Sequence, residues 1–163
     1  MRFNGIALFA GAALLVACGG GESAPADSAA TPAPAPEVAP AAPAAAATAA
    51  PITGTTHTVN MVGDEKGYRF EPATLTAKAG DGIKFVMVSG GPHNVAFDAA
   101  TLAEDVKAQL QANMPNSTDL SSPMMMTANE AWTISLGNVK PGTYGIICTP
   151  HLAMGMKMEL IVQ

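Results

Sequence analysis

Gly142-Thr143-Tyr144-Gly145-Ile146-Ile147-Cys148-Thr149-Pro150-His151-Leu152-Ala153-Met154-Gly155-Met156-Lys157-Met158-Glu159-Leu160-Ile161-Val162 reads as strand, loop, strand. Successive side chains of a strand point to opposite faces. On the first strand Tyr144, Ile146 and Cys148 share a face. On the second, Met156, Met158, Leu160 and Val162 share one, and Lys157 and Glu159 take the other. Apolar company marks the buried side, so a thiol and a thioether point inward at the two ends of the loop. That loop carries His151. Far upstream, His93 in Gly91-Pro92-His93-Asn94-Val95 is in phase with Val95 and Phe97, which turns a second imidazole inward.

Working outward, Thr55 to Gln163 consists of short strand-like runs separated by turn signals. These are Gly63-Asp64, Ala79-Gly80-Asp81-Gly82, Ser89-Gly90-Gly91-Pro92, Gly137-Asn138 and Lys140-Pro141-Gly142. The rhythm predicts an all-β fold, an antiparallel sandwich or barrel. Trp132, Ile134 and Leu136 alternate with Thr133 and Ser135 as a core strand, and Met87 and Met158 are expected in the core. His57 belongs to the first strand, away from the cluster. One segment breaks the pattern. Leu102, Val106 and Leu110 recur at helical spacing within Thr101–Asn113, which predicts one short helix on the outside of the sandwich. Thr101 and Glu104 would cap it as a capping box, and Pro115 with the polar run Asn116–Ser122 ends it.

Sulfur and imidazole together suit copper. Two histidines and a cysteine in a plane, with a distant axial methionine, form the blue-copper arrangement. His93, Cys148, His151 and Met156 supply that set. Met154 also follows His151, but phase and spacing select Met156. Pro150 has no N–H to donate to the cysteine sulfur, which leaves more electron density on the thiolate. Met124-Met125-Met126 offers three further thioethers that suit Cu(I). Methionine also fills irregular core gaps, and packing is the role expected of this run.

On these residues the domain resembles plastocyanin and its bacterial relatives, including the membrane-anchored auracyanins. The likeness covers nearly all of Thr55–Gln163. It is carried by Tyr68-Arg69-Phe70-Glu71-Pro72, Ala79-Gly80-Asp81, Pro92-His93-Asn94-Val95-Ala96-Phe97-Asp98, and Gly142-Thr143-Tyr144 leading into the Cys148, His151 and Met156 motif. The resemblance implies a Greek-key cupredoxin sandwich of about eight strands, into which the short helix read from spacing is inserted after the first histidine ligand. It implies one type 1 copper ion cycling between Cu(I) and Cu(II), and electron transfer rather than enzymatic catalysis. By the same resemblance Asn94 ties the His93 strand to the Cys148 loop. His151, flanked by Leu152 and Met154 with Pro92 nearby, is the expected electron port, set in a flat apolar docking patch. The family expectation for partners is a cytochrome complex as donor, with a reaction centre or terminal oxidase as acceptor, meeting a monomeric carrier. Two features depart from the plant pattern. Ile147 stands where plant plastocyanins have a tyrosine, so a plant-type acidic docking mode is not expected, and the Thr101–Ser122 region is larger.

The N-terminal third reads as an export and anchoring device. Arg2 precedes the apolar run Ile6–Val16, which is the size of a signal h-region and too short to span a bilayer. Leu15-Val16-Ala17-Cys18 looks like a bacterial lipobox, with residues 1–18 as signal and Cys18 as the lipidated residue. Gly19 replaces the aspartate that commonly retains such proteins at the inner membrane. Gly19–Gly54 then holds 15 Ala and 7 Pro in 36 residues, a composition that breaks helices and acts as an extended tether. The chain is thus expected to be exported and lipid-anchored, facing the periplasm or cell exterior. With Cys18 lipidated, Cys148 is a lone thiol in an oxidising compartment, which a metal explains.

The bulk numbers exclude some functions. A net charge of -5 with 13% charged residues is not the basic footprint of a nucleic-acid binder. Copper enzymes with several centres need more histidines than the three present, two of which are already assigned, and a dinuclear copper site needs a second nearby cysteine. The remaining rival to the electron carrier is a periplasmic copper-binding or copper-delivery protein.

Overall fold

The computed structural model describes residues 47–163. The expected signal segment, Cys18 and residues 19–46 of the Ala/Pro-rich stretch lie outside the described residues. Eight strands follow in order: β1 Thr56–Asp64, β2 Gly67–Glu71, β3 Thr74–Ala77, β4 Gly82–Met87, β5 Ala96–Phe97, β6 Ala131–Ser135, β7 Gly142–Ile147 and β8 Lys157–Val162, with one helix, α1 Glu104–Asn113, between β5 and β6. They form two four-stranded sheets, ordered β2-β1-β4-β6 and β3-β8-β7-β5.

Both sheets are mixed, which corrects the expectation of a wholly antiparallel sandwich. β1 pairs with β4 and β3 with β8 in parallel, and the other pairs are antiparallel. The cause is the path of the chain. After β2 the chain crosses to the second sheet as β3 and returns as β4, so β1 and β4 both enter the first sheet from the same pole.

The strands alternate as their sequences require. In β8, Met158, Leu160 and Val162 are buried while Lys157 and Glu159 are exposed, and in β7 Tyr144 and Ile146 face inward. Phe70 meets Phe85 edge-on at 6.1 Å between ring centroids in the core. Trp132, Ile134 and Leu136 line the same core. His57 sits in β1 and bonds Asp81, with Nε2 2.8 Å from Oδ2.

The helix starts later than its capping signal. Thr101 belongs to a 3-10 turn at Ala99–Thr101, and its hydroxyl donates to the Asp98 carbonyl at 2.9 Å. Asp98 caps that turn by accepting from Ala100 N–H. The competing turn takes Thr101 away, so α1 begins after Ala103 with no side-chain cap. Glu104 and Asp105 still place negative charge in its first turn, where the helix dipole favours it. Val106 and Leu110 are buried on the sandwich as the helical stripe predicts.

The boundary at Thr55 also moves. Ala50 N–H donates to Asn113 Oδ1 at 2.9 Å, and Gln109 Nε2 donates to the Thr48 carbonyl at 3.1 Å. Thr53 and Gly54 N–H both donate to the Gly80 carbonyl at 2.9 Å. Residues 48–54, read from composition as the end of a tether, are bonded to the domain instead.

Candidate metal centre

The centre lies at the pole where β1, β4 and β7 end and β2 and β8 begin. His93 reaches it through a close backbone approach. A Cβ on Gly90 would lie 2.4 Å from the Gly63 Cα, and Gly90 has φ of +74°. Only glycine fits both conditions. This approach brings Gly63 N–H to the Ser89 carbonyl at 2.9 Å. His93 Nε2–H donates to the same carbonyl at 2.8 Å. A carbonyl can only accept, so Nε2 carries the proton and Nδ1 presents its lone pair. The His93 backbone is fixed separately, by paired N–H to carbonyl bonds with Met125.

The other donors come from the β7–β8 connection. Cys148 directly follows β7, a 3-10 segment Thr149–Met154 carries His151, and Gly155 at φ of +84° turns the chain into β8. Cys148 N–H donates to the Met156 carbonyl at 3.1 Å, and Met156 N–H donates to the His151 carbonyl at 3.2 Å. These bonds close the loop into a rigid hoop. The turn at Gly155 separates the two methionines: Met156 is fully buried, and Met154 is exposed.

Three donor atoms converge. Cys148 Sγ is 3.6 Å from His93 Nδ1 and 3.5 Å from His151 Nδ1, and the two nitrogens are 3.2 Å apart. A point equidistant from the three lies about 2.0 Å from each, the length of a metal–imidazole bond of roughly 2.0–2.1 Å. His93 and Cys148 are wholly buried, and His151 is 6% exposed. Lone pairs gathered this tightly away from water repel one another, and a cation is what they fit. One sulfur and two imidazoles suit copper. Burial pushes the Cys148 thiol up, against the N–H groups of Asn94 and His151 that lower it. Burial, and then the neighbouring His93, push His151 down, so it stays neutral and able to bind metal.

The comparisons agree. Residues 57–163 match the family described as copper binding proteins, plastocyanin/azurin family. The chain belongs to the plastocyanin/azurin family. Plastocyanin of Prochlorothrix hollandica is 34% identical over 115 residues, covering 70% of this chain and 78% of the relative. Plastocyanin of Ulva prolifera is 34% identical over 105 residues, covering 64% and 97%. The oxidised plastocyanin of Dryopteris crassirhizoma superposes with a TM-score of 0.52 at 30% identity, covering 66% of this chain and all of that one. The fold is the cupredoxin sandwich with one short helix, the cofactor is one copper, and the protein is a copper electron carrier, not an enzyme.

Within this plastocyanin-family domain Asn94 spans the two halves of the centre. Its Oδ1 accepts from Thr149 N–H at 2.7 Å, and its Nδ2 donates to the Thr149 hydroxyl at 3.1 Å and the Ser121 hydroxyl at 2.8 Å. Pro150, Leu152 and Met154 are exposed on the loop, and Pro92 is exposed beside His93. The methionine run divides. Met125 is buried next to His93, while Met124 and Met126 are exposed. Reasoning from the sequence missed two residues. Ser89 orients His93 through a backbone carbonyl, which no side-chain pattern encodes. Tyr68 stacks on His151 with centroids 3.8 Å apart and planes 15° from parallel. An aromatic residue beginning the strand after the Gly63-Asp64 turn was a visible signal, but its partner was not.

Proposed function

We propose that His93, Cys148, His151 and Met156 hold the copper, and that the protein is an exported one-electron carrier lipid-anchored through Cys18. The observation that carries this reading is the buried triangle of Cys148 Sγ and two histidine Nδ1 atoms. Copper supplies a one-electron couple. The chain's own residues supply its rigid setting. Ser89 locks the His93 ring, Asn94 joins the two ligand segments, and the Cys148–Met156 backbone bonds hold the hoop. Donors fixed in this way leave little to reorganise when charge changes. Burial excludes water from the sulfur.

His151 is the proposed port. It alone of the four has measurable exposure. Leu152 and Met154 of its own loop and Pro92 of the His93 segment are exposed and apolar, a surface suited to brief contact with redox proteins. A cytochrome complex as donor and a reaction centre or terminal oxidase as acceptor are the partners proposed from the family. No helix of the described residues is long and apolar enough to cross a membrane, so the anchoring proposal rests on Cys18 alone.

Copper-loaded protein should show an intense copper–thiolate band near about 600 nm, typical of a blue site. Cys148→Ser should abolish it while the sandwich stays folded by circular dichroism. A variant that kept the band would remove Cys148 from the site. A second reading, copper delivery, is favoured by exposed Met124 and Met126 beside the residue that pairs with His93. Rapid transfer of Cu(I) to an external thiolate chelator would support delivery, and slow release supports the carrier.

A further inference from the structure

Residues 48–54 lie at the pole opposite the metal centre. Their partners are Gly80, Gln109, Asn113 and the Gly137 turn, where β4 begins and β6 ends. The ligand-side turn Ser89–Gly91 follows the other end of β4, a strand of six residues that spans about 20 Å at ~3.3 Å per residue.

Asn113 closes the contact. Its side chain is buried, and every polar atom of it is used. Oδ1 accepts from Ala50 N–H at 2.9 Å and from Gln109 Nε2 at 3.0 Å, while Nδ2 donates to the carbonyls of Ser135 at 3.0 Å and Gly137 at 2.7 Å. The inserted helix α1 brings a polar side chain into a buried place, and the incoming chain completes it. Ile52 lies against Gly82, where a Cβ would meet its Cδ1 at 2.6 Å, and Gly80 similarly faces Thr53. Two glycines thus clear the floor on which the segment lies.

We infer that residues 48–54 are a strap, latched by Asn113 of α1, that fixes the exit of the tether at the pole remote from copper. The described chain thus enters the domain at the pole remote from His151, not beside the exposed loop that carries it. The inference rests on reading residues 19–46 as a tether.

The test is NMR on the full-length copper protein. In the wild type the amides of Ala50, Thr53 and Gly54 should be protected from hydrogen exchange. Amides of residues 47–54 should be as sharp in the Cu(II) state as in the Cu(I) state, because paramagnetic broadening falls steeply with distance. Asn113→Ala should speed exchange at Ala50 by roughly tenfold or more and let Cu(II) broaden the upstream amides. Gln109→Ala removes one bond to the strap and leaves the buried Asn113 in place, so it should give a smaller change in the same direction in a folded protein. Unprotected strap amides in the wild type, or Cu(II) broadening of residues 47–54 before any mutation, would overturn the strap. Neither readout involves the lipid. Membrane fractionation of Cys18→Ser tests the anchor separately.

Discussion

His93 is held from both ends of its ring. The Ser89 carbonyl accepts a hydrogen bond from Nε2–H, which aims Nδ1 at Cys148. His151 has a different support, the face of Tyr68. The imidazole on the inward-facing segment is thus fixed by a hydrogen bond, and the one in the loop by stacking. Methionine choice follows from the Gly155 turn. Met156→Leu should keep copper and raise the reduction potential, because a weak donor to Cu(II) is lost. Met154→Leu should leave the potential unchanged. Cyclic voltammetry of both variants decides, and reversed behaviour would mean that Met154 is the axial ligand. Asn94→Ala should destabilise the metal-free protein by about 1–3 kcal/mol in urea unfolding, because Thr149 N–H loses its acceptor and the two ligand segments come apart.

At the scale of elements, α1 is an insertion that serves the fold and not the metal. Its buried Leu110 and Val106 dock it on the sandwich, and Asn113 joins it to β6 and the strap. Leu110→Ala should cost roughly 2–4 kcal/mol by the usual cavity and transfer terms. The visible spectrum of the copper form should not change. A spectral shift would show that α1 reaches the ligands. The strap gives a second expectation at this scale. Protein beginning at Ala47 should be more stable than protein beginning at Thr55, because the shorter chain leaves the Ala50 and Thr48 bonds unmade and the Gly80 carbonyl unpaired. Equal urea midpoints for the two would refute it. The periodicity of Leu102, Val106 and Leu110 located the helix, and the turn capped by Asp98 moved its start.

For the whole molecule, acid stability is written into the pole away from copper. Asp81 accepts from Lys78 N–H, bonds His57 and accepts from Thr55 N–H, and these hold its carboxyl at about 2 against an ordinary 3.8. The folded value lies below the unfolded one. Its stabilisation is therefore present above the unfolded value and lost as pH falls toward 2. Asp81→Asn should be less stable than wild type at neutral pH, and the gap in urea midpoint should close as pH falls from 5 to about 2. A gap independent of pH would mean that the carboxylate charge is not what matters. Copper adds its own linkage. A ligand bound only by the folded state raises its stability with occupancy, so chelating the copper should lower the melting temperature.

Local rules in the sequence determined the parts of this protein that depend on neighbours along the chain. Side-chain alternation turned Cys148 and Met156 inward, and the spacing from Cys148 to His151 to Met156 placed three sulfur and imidazole donors in one loop. Phase with Val95 and Phe97 turned His93 inward as well, and the resemblance carried Asn94 to the same place. Tertiary structure alone decided what depends on residues remote in sequence. The parallel pairing of β1 with β4 comes from the crossing of the chain between sheets. Tyr68 meets His151, and the Ser89 carbonyl meets His93, only because Gly63 and Gly90 let two backbones touch. Ala50 finds Asn113 across 63 residues. Composition makes residues 48–54 look like more tether, because Ala, Pro and Gly carry no pattern of their own. What orders them is a buried amide on another element, whose oxygen takes the Ala50 N–H as its second hydrogen bond beside that from Gln109.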